Sequence, residues 1–152
     1  MKLTLLCVGA LKASPEQDLL EQYRTRLSWP FDMREIICRK RGLPEQTKSW
    51  EGDLLLQAIE PDAVVIGLDE RGTSLTSLEF AKTLETYRNE GLKSLTFVIG
   101  GADGLSDPVR KRCQKLVSFG RMTWPHLLVR GMLVEQLYRA QQILTGHPYH
   151  RA

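Results

Sequence analysis

The side chains best suited to chemistry crowd toward the end of this sequence. Glu135 and Arg139 are followed by His147, Tyr149, His150 and Arg151. Glu135 and Arg139 stand one helical turn apart with the acid first, the favourable order for an intrahelical ion pair. That reading competes with a catalytic use of the guanidinium. His147 and His150 bracket Pro148-Tyr149, a spacing that could suggest metal binding, but no cysteine or carboxylate completes a ligand set, so no metal is expected. A chain end carrying a phenol, imidazoles and a guanidinium is unusual, because ends are mostly small and polar. The tail therefore reads as a segment folded over a site. His126 falls at the start of a long helical stretch, where free N–H groups and the helix dipole disfavour imidazolium. A neutral ring there could accept a proton, or it could simply be packed and hydrogen-bonded.

A second constellation is Gly100-Gly101-Ala102-Asp103-Gly104, placed just past an apolar run. In α/β proteins ligands bind beyond the carboxyl ends of strands, where glycine lets them approach the backbone. The spacing is not the dinucleotide fingerprint, since the second gap is wrong and no acidic residue ends the next strand to take a ribose hydroxyl. A plain tight turn remains the alternative. Loops after Leu68, at Gly100 and from Phe119 to Trp124 all leave apolar strands and could ring one site. Leu68, Met122 and Trp124 would give it the apolar walls that adenine needs.

The elements that must position these groups follow from periodicity and punctuation. Strands are expected at Lys2–Val8, Met33–Cys38, Ala63–Leu68, Leu95–Ile99 and Leu116–Phe119. Ser14, Pro15 and Gln17 open a helix that ends at Trp29-Pro30. Arg39–Lys48 reads as a basic loop turning at Gly42 and Pro44, before a short helix with Leu54, Leu55, Leu56 and Ile59. Asp69–Gly72 is read as a loop. Thr76 and Glu79 form a capping box for a helix closing at Gly91, and Asp107-Pro108 caps and starts a short one. The helix Pro125–Thr145 is apolar almost all round, so it must be covered on two sides, one of them by a partner subunit. Strict alternation of strand and helix, without repeat or linker, predicts one α/β domain over residues 1–152 built on a mainly parallel sheet.

Composition narrows the setting. A chain of 152 residues, 42% hydrophobic and 26% charged, is globular. Its apolar runs are too short to span a bilayer, and Met1-Lys2 leads into a strand rather than a signal peptide. Cys7, Cys38 and Cys113 suit reduced thiols in a cytoplasm. The net charge of +3 selects no partner. Its distribution says more, because Arg39–Arg41 and Arg110, Lys111, Arg112 and Lys115 form clusters that could hold phosphates or merely be solvated faces.

Taken together, Lys40-Arg41-Gly42, Leu68-Asp69, Ile99-Gly100-Gly101, Asp103-Gly104-Leu105, Met122–His126, Arg130, Glu135–Ala140 and His147–Arg151 resemble the ribosomal RNA large-subunit methyltransferase H family. These are pseudouridine N3-methyltransferases of the SPOUT superfamily, and the resemblance spans the whole chain. It implies a C-terminal trefoil knot, rare among proteins, and a homodimer whose partner subunit helps form the RNA site. It implies S-adenosylmethionine as methyl donor, held by Leu68, Gly100, Phe119, Gly120, Arg121, Met122, Thr123 and Trp124. The implied substrate is a pseudouridine of 23S ribosomal RNA in assembled large subunits. Its N3 imide is a weak acid and needs help to lose its proton. Arg139 is the candidate stabiliser of the charge, while Tyr149 and His150 are candidates to position the base or relay its proton. A nucleotide-binding metabolic enzyme and a non-catalytic RNA-binding dimer are the rival readings.

Overall fold

A computed structural model describes residues 1–151, in which five strands and five helices alternate. The strands are β1 (Lys2–Val8), β2 (Phe31–Ile36), β3 (Val64–Ser74), β4 (Ser94–Ile99) and β5 (Lys115–Ser118). The helices are α1 (Pro15–Arg24), α2 (Pro44–Ala58), α3 (Ser77–Asn89), α4 (Asp107–Arg112) and α5 (His126–Leu144). All strand pairs are parallel, in the order β2-β1-β4-β3-β5. The sheet is thus wholly rather than mainly parallel, and every strand points its carboxyl end to the same edge.

Side chains alternate between the faces of a strand, and the core divides accordingly. Leu3, Leu5 and Cys7 join Ile66, Phe97 and Ile99 on one face, beneath Phe80 and Leu84 of α3 and Leu133 and Leu137 of α5. Leu6 and Val8 join Val65 and Val98 on the other, beneath Leu55 of α2 and Val109 next to Leu105. Burial on both faces explains why the central strands read as continuous apolar runs.

Several expected boundaries move. α1 stops at Arg24 rather than Trp29, because Arg26 and Leu27 donate to carbonyls three residues back and turn the chain. Leu27 and Trp29 pack on the core instead. Of the expected Ser14–Gln17 box, the Ser14 half forms, with Gln17 N–H donating to Ser14 Oγ at 3.2 Å. β2 begins two residues earlier than expected, at Phe31, aligned with Leu3 of β1. Pro44 is not a loop turn but the first residue of a 15-residue helix, a position where its missing N–H costs nothing. The cap of α4 is Ser106, one residue before Asp107.

The largest departure is β3, which runs 11 residues, through the expected loop Asp69–Gly72. Leu68 and Thr73 both stand opposite Val117 of β5, so the residues between them bow out of the ladder and the strand resumes beyond. Gly72 makes that possible, since a Cβ there would stand 2.6 Å from the Leu116 carbonyl carbon. The Thr76–Glu79 capping box forms as expected, with bonds of 3.1 and 2.7 Å. Gly91 closes α3 at φ 80°.

Candidate active site

The bulge of β3 and the carboxyl ends of β4 and β5 open into a cavity of ≈370 Å³. Its wall comes from Leu68–Arg71 in that bulge, where a loop was expected, and from the two predicted loops at Ile99–Leu105 and Val117–Trp124. Of the eight residues expected to hold a ligand, Leu68, Gly100, Phe119, Gly120, Met122, Thr123 and Trp124 line it. Arg121 is exposed and does not.

The loops are tied to one another. Thr123 Oγ1–H donates to Glu70 Oε2 at 2.7 Å, joining the first loop to the third. Trp124 Nε1–H donates to the Phe119 carbonyl at 3.3 Å, and Ser118 Oγ–H to that of Gly120 at 2.6 Å. Gly120 lies at φ 120°, a conformation open to glycine. Within the second loop Gly104 N–H donates to the Gly101 carbonyl at 3.0 Å. A Cβ on Gly100 would stand 2.5 Å from the Gly104 carbonyl oxygen, so the turn itself requires this glycine, whatever approaches it from outside.

The cavity pairs apolar walls, among them Ile99, Val117, Phe119 and Val129, with carboxylates at Asp69, Glu70 and Asp103. Asp69 is nearly covered and is held by Arg71 and Arg110, each 3.6 Å away. His126 reaches the same cavity, and its pKa lies below the ordinary 6.5. The direction matches the sequence expectation, and its causes are burial, then the charge of Arg130.

Arg130 and Glu51 stood out in no periodicity argument. Arg130 is fully buried and donates to the carbonyls of Val8 and Gly9 at 2.7 and 2.8 Å and to Glu35 at 2.9 Å. Glu35 also accepts from Leu11 N–H, so one guanidinium fixes the whole turn leaving β1. A charged residue on the buried stripe of an apolar helix was the available signal. Glu51, on α2, lies buried behind the glycine turn.

The tail folds back on α5. Arg139 donates to Glu135 at 2.6 and 3.0 Å, and its guanidinium lies 4.8 Å from the Tyr149 ring centre. Tyr149 O–H donates to the same Glu135 Oε1 at 2.9 Å. Burial, then hydrogen bonding with Tyr23 and Glu135, raises the Tyr149 pKa well above the phenol range, so Tyr149 stays protonated. Arg139 Nη1 lies 3.2 Å from His150 Nδ1. Arginine can only donate, so Nδ1 accepts and the neutral ring carries its proton on Nε2. The ion pair and the tail cluster are thus one arrangement, with Glu135 at its centre. His147 takes no part in it, accepting instead from Tyr149 N–H at 3.2 Å. Ala152, the last residue of the expected tail, lies outside the described residues.

Arg139, Tyr149 and His150 do not reach the first cavity. Glu135 lines a second one, of ≈530 Å³, between α1, α3 and α5, and the two cavities share the segment Val117–Gly120. Within one chain the two candidate sets therefore lie apart. The basic clusters differ in availability. Arg110 is engaged by Asp69, Asp107 and the Leu105 carbonyl, and Arg112 by the carbonyls of Glu60, Pro61 and Ala63. Those two guanidiniums hold the fold together rather than await phosphates. Among the described residues no group of histidine, cysteine and carboxylate side chains is gathered to hold a metal, and no helix is long and apolar enough to cross a membrane.

A parallel α/β sheet with a ligand-sized cavity at its carboxyl edge, built from three tied loops, defines a class of ligand-binding α/β proteins. Residues 1–150 match the family model described as "Predicted SPOUT methyltransferase", and the chain belongs to that family. It is 55% identical over 152 residues, covering both chains fully, to the ribosomal RNA large subunit methyltransferase H of Rhodospirillum centenum. Its counterpart of the same name in Paramagnetospirillum magneticum is 50% identical over 99% of each chain. Among solved structures it is similar to a methylase family protein from Haemophilus influenzae, with TM-score 0.58 at 11% identity over 99% of this chain and 70% of the other. A methyltransferase from Legionella pneumophila, solved with bound SAM, gives TM-score 0.51 at 10% identity over 92% and 66% of the two chains. At such identities the likeness is one of fold.

Proposed function

We propose that this protein transfers a methyl group from S-adenosylmethionine to N3 of a pseudouridine in 23S ribosomal RNA of the assembled large subunit, acting as a cytoplasmic homodimer. The observation that carries the reading is the ring of three loops at the carboxyl edge, in a chain that matches the named relatives from end to end. The residues fit the donor. A cavity of ≈370 Å³ falls within the range of small-molecule sites, roughly 300–1,000 Å³. Leu68, Ile99, Phe119 and Trp124 offer an apolar slot for adenine, and the backbone of the glycine turn and of Gly120–Thr123 offers polar groups beside it. Glu70 and Asp103 suit a cationic ligand, whereas Asp69 is already paired with Arg71 and Arg110. When bound, S-adenosylmethionine supplies an electrophilic methyl group on a sulfonium centre.

The tail residues act on the acceptor. Arg139, charged at any working pH, offsets the negative charge that builds on the imide as its proton passes to solvent water, since none of the tail groups is free to take it. His150, with Nδ1 taken by Arg139, points an Nε2–H donor at a base carbonyl. Tyr149 remains a phenol, so it orients Glu135 and stacks on Arg139 rather than abstracting the proton. Because the two sets lie apart in one chain, the reading requires a second subunit to bring a tail to each donor cavity. The exposed Met122, at 75%, and Trp124, at 42%, supply apolar surface for that contact. A trefoil knot formed by the C-terminal part of one domain over residues 1–152 belongs to the same proposal.

The test is mass spectrometry of the target hairpin from cells lacking the protein, with S-adenosylhomocysteine calorimetry on the purified chain. Loss of the methyl group and tight binding are expected. An unchanged hairpin would overturn the reading, and binding without transfer would favour a non-catalytic RNA-binding dimer.

A further inference from the structure

Behind the glycine turn stands a carboxyl group that no contact in the cavity accounts for. Glu51 lies mid-way along α2 at 8% exposure, and its Oε1 has no hydrogen-bond partner. Buried polar atoms in folded proteins are nearly always paired, so an exception asks for a use. The next residue explains how it came to be there. Gly52 is unfavourable inside a helix, yet a Cβ at that position would stand 2.2 Å from Ser106 Oγ. Glycine therefore lets α2 lie directly on the segment that leads from the turn into α4. Lowered in this way, the helix presses the Glu51 carboxyl against Gly101, where a Cβ would stand 2.7 and 2.9 Å from its two oxygens. Two locally unfavourable choices, Glu51 and Gly52, thus meet at one place. Burial pushes the Glu51 carboxyl above its ordinary range, Asp103 adds to that, and Arg41 opposes it.

We infer that Glu51 is a positioning residue for the methyl donor: it backs the Gly100–Gly104 turn from the side away from the cavity, and its free oxygen is satisfied as the turn closes on the ligand. This rests on the reading of the cavity as the donor site. Glu51 does not line that cavity, so it acts on the shape of the turn, and hence on donor affinity, without touching the reacting atoms.

The experiment is S-adenosylhomocysteine calorimetry on the full-length protein and on Glu51→Ala, Glu51→Gln, Gly101→Ala and the Glu51→Ala/Gly101→Ala double variant, with thermal unfolding of each protein alone. Glu51→Ala should bind about tenfold more weakly or worse, and Glu51→Gln, which keeps the shape and an acceptor, within about threefold of the parent. The donor KM of Glu51→Ala should rise while kcat at saturating donor holds. The methyl of Gly101→Ala presses on the carboxyl, so the double variant, in which that methyl takes the vacated space, should bind better than Gly101→Ala alone. Glu51→Asp, which keeps the charge but draws it back from the turn, serves the same cycle if Glu51→Ala does not fold. Parent-like binding by Glu51→Ala, or losses that simply multiply in the double variant, would overturn the inference. Failure of the parent protein to bind would instead overturn the reading of the cavity.

Discussion

Glu135 carries more of the tail than any other side chain, since both Arg139 and Tyr149 donate to it. Glu135→Gln weakens both bonds by removing the charge on the acceptor. Methyl transfer should fall about tenfold or more while S-adenosylhomocysteine affinity stays unchanged, because Glu135 does not line the donor cavity. Single-turnover rates on large subunits measure this, and a full rate would remove Glu135 from the arrangement. His126 makes a pH prediction. Its folded-state pKa is below 6.5, so between that value and 6.5 the unfolded chain binds more protons. Stability should therefore fall as pH drops below about 6.5, and His126→Asn should flatten that slope in melting curves. At this scale the sequence was legible where residue type already implies geometry. The acid-first spacing of Glu135 and Arg139 predicts their bond, and His126 is neutral-leaning as expected. Glu51 was not legible, and Arg130 entered only through the family resemblance, because their partners, Val8, Gly9 and Gly101, are remote in the chain and come near only through packing.

Among elements, the tail is the one whose removal separates folding from chemistry. Deleting Tyr149 to Ala152 removes the tail's contacts with Glu135 and Arg139 but leaves the backbone of α5, its C-cap at Thr145 and the lining of the donor cavity in place. Stability should change by less than about 1 kcal/mol. Donor affinity should hold, and methyl transfer should fall about 10²-fold or more. Parallel calorimetry and single-turnover assays decide, and transfer at the parent rate would make the tail an ordinary chain end. Elements with paired local signals were readable from sequence: Thr76 with Glu79 opens α3, and the apolar runs of β1 and β4 fall within a residue of their expected bounds. Pro44 was misread because proline marks both turns and helix starts, and only the return bond from Leu43 N–H to Gln46 Oε1, 2.9 Å long, distinguishes them. The resumption of β3 beyond Asp69–Gly72 was invisible for a different reason. Polar residues in a strand need an edge partner, and β5, which supplies it, lies more than forty residues downstream.

For the whole molecule, the proposed dimer can be tested by complementation. Mixing a chain lacking Tyr149 to Ala152 with one carrying Gly100→Val, each inactive alone, should restore about one quarter of the parent rate. Random pairing gives half mixed dimers, each with one intact composite site. No restoration, or sedimentation as a monomer of 17.3 kDa, would place donor cavity and tail chemistry within one chain. The way α1 and α5 are joined has a further consequence for the life of the chain. Gln141, near the end of α5, is buried and accepts from Ser28 N–H at 2.8 Å, so the first helix and its exit turn rest on a residue synthesised 113 positions later. During translation, the part of the sheet's apolar face that Leu133 and Leu137 cover stays exposed until α5 leaves the ribosome, even after α3 has docked. A prematurely terminated chain is then not a weaker enzyme but an unfinished core, recognisable by chaperones and proteases from the apolar face it exposes.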